Sequence, residues 1–162
     1  MISPASHDQG RPCAARILIV EDDLLNGFLM EEALQLAGYE VLGPARTVSR
    51  AMALLESCVV DAAILDLQIE DETSLAVARR LDDLGIPWAI TTGHARSAIP
   101  AECDHVRVLT KPFSIKELLD VASDALRHPL AARSDGLRGE NGVNQGMRLR
   151  ASEGLLVSSD RA

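Results

Sequence analysis

From Arg16 to Arg127 the chain alternates between short apolar runs and stretches whose apolar residues recur every three to four positions. Ile17-Leu18-Ile19-Val20 opens the pattern, acidic residues follow, and Leu25, Phe28, Leu29, Ala33 and Leu36 then mark one face of a helix. Gly38 suits the position just after that helix, and Tyr39 to Leu42 reads as a second strand ending at a Gly43-Pro44 turn. The same reading predicts helices over Val48 to Ser57, Ser74 to Leu84 and Ser114 to Arg127. It predicts strands at Ala62 to Leu65, Ile86 to Ile90 and Val106 to Leu109, and a weaker helix near Ser97. Strands separated by helices must run parallel, because each return needs a crossover, and a parallel sheet needs helices on both faces. The expected fold class is therefore α/β, a doubly wound five-stranded parallel sheet.

Residues 1–15 are small and polar with no period of either kind, and read as a flexible arm. After His128-Pro129 the composition shifts to Ala, Arg, Ser, Gly and Asn, so residues 129–162 are expected to be a disordered tail. Its short run Gly154-Leu155-Leu156-Val157 could dock on something, but a stretch so short reads first as part of the tail. That leaves 16–128 as one domain, the number that 162 residues comfortably allow.

Composition narrows the function. One Trp, one Tyr and two Phe supply no stacking platform for bases, and a formal net charge of −8 opposes a phosphate backbone, which argues against direct nucleic-acid binding. Cys13, Cys58 and Cys103 are scattered, without the paired spacing of a zinc or redox site. No apolar run approaches the roughly 20 residues a membrane span needs, and the N-terminus lacks a signal-peptide core, so a cytoplasmic protein is expected.

In an open parallel sheet, ligands bind beyond the carboxyl ends of the strands. There the sequence places Glu21, Asp22 and Asp23, then Asp66, then Thr91 and Thr92, then Lys111. Asp23 alone suits a helix cap. Clustered carboxylates resist ionisation unless a cation offsets them, so Glu21, Asp22 and Asp66 ask for a divalent metal, and an oxygen-only set favours Mg²⁺ or Mn²⁺. With the charge partly neutralised, a carboxylate oxygen can attack phosphorus, while an ammonium and a hydroxyl hold the transferred group.

These pieces, ILIVEDD at 17–23, AAILDLQ at 62–68, ITTGHA at 90–95 and LTKPF at 109–113, resemble the receiver domain of two-component response regulators. The resemblance covers about residues 16–127 and implies strand order 2-1-3-4-5. It implies that Asp66 is the phosphoacceptor, Asp22 a direct Mg²⁺ ligand, Glu21 a ligand through water, and Gln68 a ligand through its backbone carbonyl. Thr92 becomes the switch hydroxyl and Lys111 the phosphate-binding lysine, with Lys111-Pro112 cis and Gly93 leaving room for the phosphoryl group. Such a phosphoprotein is a signalling switch and not a turnover enzyme. Its donor is a sensor histidine kinase or a histidine phosphotransfer protein, and its output is a downstream protein partner or onward phosphotransfer. A homodimer through the last two helices and fifth strand is the expected self-association.

Three features depart from the family pattern. The loop Gln68-Ile69-Glu70-Asp71-Glu72 lacks the usual Pro-Gly and reads as a solvated acidic loop; Val108 stands where an aromatic is common; and the stretch between Thr92 and Lys111 is short. His94 reads as an exposed side chain, the alternative being control of water at the phosphoryl group. With no output domain fitting after residue 127, a stand-alone receiver is expected. A pseudo-receiver that binds partners without phosphorylation is the alternative, and an aspartyl phosphatase is disfavoured because Gln68 stands where that family carries its second Asp.

Overall fold

A computed structural model describes residues 14–94 and 99–128. The expected 1–15 arm, apart from its last two residues, the 129–162 tail and the core of the helix expected near Ser97 lie outside the described residues. The elements run β1 (Arg16–Val20), α1 (Leu24–Leu36), β2 (Glu40–Ala45), α2 (Val48–Ser57), β3 (Ala62–Asp66), β4 (Gln68–Ile69), β5 (Glu72–Thr73), α3 (Leu75–Leu84), β6 (Trp88–Thr92), β7 (Arg107–Thr110) and α4 (Ile115–Arg127). The main sheet has order β2-β1-β3-β6-β7 with every pair parallel, which is the expected 2-1-3-4-5 once the small antiparallel β4–β5 hairpin is set aside.

Side chains alternate across the sheet and so build two cores. Ile17, Ile19, Ile64, Ala89 and Leu109 face Met30 and Leu34 of α1 and Leu118 and Val121 of α4. Leu18, Val20, Ala63, Leu65 and Ile90 face Leu54 and Leu55 of α2 and Val77 and Leu81 of α3. Helix starts follow local chemistry. The Asp23 side chain accepts from the Asn26 amide at 2.8 Å, Thr47 accepts from the Arg50 amide, and Ser114 and Glu117 form a reciprocal capping box.

The face chosen by α1 differs from expectation. Gly27, Met30, Ala33 and Leu34 are buried, while Leu25, Phe28, Leu29 and Leu36 are exposed. The helix LLNGFLMEEALQL is apolar on most sides, so periodicity alone names no single face. The packed stripe is the one containing Gly27, where an added Cβ would lie only 3.1 Å from Pro44.

The second strand also continues past its expected end. Gly43-Pro44 is not a turn but a cis peptide inside β2, at an irregularity where the register between Leu18 and Val20 shifts. Gly43 sits at φ +102°, and a Cβ there would meet the Ala45 nitrogen at 2.6 Å and the Ile19 carbonyl oxygen at 2.7 Å.

Between β6 and β7 the described residues include a 3₁₀ turn, Ala101–Cys103. It is tied to α3 by Arg79 Nη2, 3.1 Å from both Glu102 oxygens, while Asp82 accepts from Trp88 Nε1 at 2.7 Å and lies 3.3 Å from His105 Nε2.

Gly43→Ala is expected to destabilise the fold by more than about 2 kcal/mol in urea denaturation, because left-handed backbone strain adds to two backbone clashes. Gly38→Ala, at φ +92° with nothing within 4 Å, is expected to lose only about 1 kcal/mol, the conformational part alone.

Candidate functional site

Ladder hydrogen bonds carry the strand ends past the formal strands and set the site. Glu21 N–H donates to the Ala45 carbonyl at 3.0 Å, Leu67 N–H to Thr91 at 3.1 Å, and Lys111 N–H to Thr92 at 2.8 Å. In register, Asp66 pairs with Thr91 and Thr92 with Thr110. Residues 90 positions apart in sequence thereby share one sheet edge, and Lys111 Nζ lies 2.7 Å from Glu21 Oε2 and 2.5 Å from Asp66 Oδ2. The Lys111-Pro112 bond is cis, as the family pattern implies.

Glu21, Asp22 and Asp66 each offer an oxygen within 4.8 Å of the others. Glu21 is 1% exposed, and burial pushes its carboxyl above the ordinary range; the neighbouring Asp66 charge adds to this and Lys111 opposes it. Burial would by itself lower Lys111, but its hydrogen bonds to Asp66 and Glu21 prevail and hold the ammonium above its usual value. Three carboxylates against one ammonium leave a formal excess of two negative charges. An all-oxygen set with that excess fits a hard divalent cation, and the cluster could hold one.

Thr92 is buried, and its hydroxyl oxygen accepts from the His94 amide at 3.1 Å. Thr91, on the opposite face by strand alternation, is also buried, and its hydroxyl has no protein partner among the described residues. Gly93 and His94 are exposed, and nothing lies within 4 Å of a Cβ built on Gly93. Val108 is half-buried in β7.

The acidic loop is more ordered than its sequence suggests. It folds as the β4–β5 hairpin, with Glu70 at φ +51°, and the Glu70 amide donates to Asp22 Oδ2 at 2.9 Å. Gln68 N–H donates to Asp66 Oδ1 at 3.2 Å, and its side-chain amide donates to the Glu70 carbonyl at 3.0 Å. Arg46 adds a further restraint through Nε on the Asp22 carbonyl at 3.1 Å. Sequence reasoning missed these ties, since two are made by backbone amides that any residue carries, and no Gly or Asn announces the left-handed Glu70.

A doubly wound parallel sheet with a carboxylate cluster and a lysine at its carboxyl edge places its charged groups where open α/β sheets bind ligands. Residues 17–123 match the family described as the response regulator receiver domain, and the chain belongs to that family. The transcriptional regulatory protein PhoP of Escherichia coli is 33% identical over 132 residues, covering 75% of this chain and 54% of PhoP. The solution structure of SdrG from Sphingomonas melonis Fr1 superposes with TM-score 0.63 at 32% identity, over 70% of this chain and 97% of SdrG. The response regulator PhyR from Brucella abortus gives 0.62 at 30%, over 70% of this chain and 48% of PhyR. The chain spans about half the length of PhoP and of the Bacillus subtilis regulator YbdJ, of which it covers 51%.

Lys111→Met is expected to lower stability in chelator by about 3 kcal/mol, since it strands the buried Glu21 carboxylate, and Glu21→Gln in that background is expected to recover most of the loss. In the unmutated chain, a divalent cation at ten times its dissociation constant is expected to add about 1.4 kcal/mol, reversed by chelator, and Asp22→Asn is expected to abolish the gain in a thermal-shift titration.

Proposed function

We propose that this chain is a phosphorylation switch in which Asp66 accepts a phosphoryl group, with Mg²⁺ required, and that the phosphorylated form signals by binding a partner or passing the group on. The observation that carries the reading is the convergence of Asp66 with Glu21, Asp22 and Lys111, supported by Thr92 alongside. Glu21, Asp22, Asp66 and the Gln68 backbone carbonyl would hold Mg²⁺. When bound, it neutralises part of the carboxylate charge and offers a positive centre for phosphoryl oxygens.

The remaining work falls to the side chains. An Asp66 oxygen forms the new bond to phosphorus as the donor's bond to phosphorus breaks, and the leaving group departs with that electron pair and is protonated. The Lys111 ammonium, already 2.5 Å from Asp66, is placed to follow the charge onto a phosphoryl oxygen. The Thr92 hydroxyl, whose oxygen accepts from His94, keeps its own proton free to donate to another phosphoryl oxygen. Its movement toward that oxygen would be transmitted along the segment that leads through the 3₁₀ turn to β7.

The donor on this reading is a sensor histidine kinase or a histidine phosphotransfer protein, and the setting is the cytoplasm. Among the described residues no helix is long and apolar enough to cross a membrane. A homodimer through the last two helices and β7 remains part of the proposal.

One observation favours a second reading, a pseudo-receiver. Both Asp66 oxygens and Asp22 Oδ2 already have partners in Gln68, Lys111 and Glu70, so the cluster is stabilised without a metal.

Intact mass after incubation with acetyl phosphate separates the two. The switch is expected to gain one base-labile phosphoryl group only with Mg²⁺, and to lose that gain in Asp66→Asn; no gain under any condition would establish the pseudo-receiver. Lys111→Ala is expected to slow the gain at least tenfold, and hydrogen exchange over 92–112 is expected to change on phosphorylation.

A further inference from the structure

We propose that the groove between α1 and α4 is a docking surface for the chain's own segment 147–157, Met-Arg-Leu-Arg-Ala-Ser-Glu-Gly-Leu-Leu-Val. The groove, about 470 Å³, is lined by Asn26, Leu29, Met30, Phe113, Ile115 and Leu118, and it opens beside Lys111. Leu29 and Ile115 in its lining are each more than half exposed, as is Leu25 one helical turn before Leu29. A cluster of large apolar side chains left open on one side of a small domain marks a surface that something covers.

Three observations select the occupant. The first is chemistry: Leu155-Leu156-Val157 is the only run of three large apolar residues after residue 128. The second is reach. From Leu118 at the groove to the end of α4 at Arg127 the helix rises roughly 14 Å. The 26 residues from 129 to 154, as a coil, average about 28 Å end to end, so the run reaches the groove without being stretched. A tether of this kind gives an effective concentration near a millimolar, and an intrinsic dissociation constant of about that size suffices for half coverage.

The third observation is charge. The segment 147–157 carries Arg148 and Arg150 against one Glu. Residues 129–162 hold five Arg and four acids, so the rest of the chain carries the whole net negative charge. A second copy would bring two net-acidic domains together, and the tail does not. A covered groove would hide the edge of the sheet next to Lys111 from protein partners while leaving small phosphodonors free to enter. Docking of the segment does not depend on whether Asp66 is phosphorylated.

The test is methyl-labelled spectroscopy of the full chain. Nuclear Overhauser effects are expected between the Leu155 and Leu156 methyls and those of Leu29 and Ile115, unchanged on tenfold dilution. Leu155→Ser with Leu156→Ser is expected to move the Leu25, Leu29 and Ile115 methyl resonances, and Arg148→Glu with Arg150→Glu to weaken the Overhauser effects several-fold. Groove methyls unmoved by the double Leu variant would overturn the proposal. Overhauser effects that vanish on dilution would also overturn it, and would assign the groove to a second copy.

Discussion

Three carboxylates and one ammonium share the carboxyl edge of this sheet, and the balance between them governs everything built there. Lys111 Nζ, within 2.7 Å of two acids, gains a gross attraction on the order of 6 kcal/mol to each at an effective dielectric near 20. Withdrawing an ammonium and a carboxylate from water costs several kcal/mol apiece. Glu21, at 1% exposure, bears most of that cost. The attraction therefore serves mainly to compensate a buried acid, and a lysine held more weakly would leave Glu21 uncompensated.

The sheet was largely legible in the sequence because buried parallel strands read as unbroken apolar runs, and the first, second, third and last of them lead into α1, α2, α3 and α4 as expected, while the helix expected near Ser97 falls outside the described residues. The bounds of α2 were read as the structure has them, and Asp23, Gly38 and Ser114 served as the punctuation their chemistry suggests. Failures came where side-chain type underdetermines geometry. An all-round apolar helix has no preferred face until its neighbours are known, so the stripe packed by α1 was decided by the approach of Gly27 to Pro44. Gly43-Pro44, which reads as a turn by composition, serves instead to kink a strand that goes on to Ala45.

The site was legible for a different reason: charged and hydroxyl residues directly after apolar runs are conspicuous, and the parallel topology puts all such positions at one edge. The side chains that the structure brings to that edge, Glu21, Asp22, Asp66, Thr92 and Lys111, could therefore be named. The groups that hold them could not. Glu70 N–H, Gln68 N–H and the strand-end amides of Leu67 and Lys111 are backbone donors, and nothing in a residue's identity says where its amide points.

The hydrogen bond from the Glu70 amide to Asp22 Oδ2 carries a thermodynamic consequence for the loop between β3 and α3. A cation bound at this carboxylate would compete with or polarise the amide's hold on it, so cation affinity and hairpin order would be linked by a single coupling free energy, reciprocal by necessity. A substitution in the turn that never touches a ligand would then change affinity through that coupling. The acidic hairpin would in that sense be an ion gauge: occupancy of the carboxylate cluster would be felt at the exposed residues 70–72, on the molecular surface.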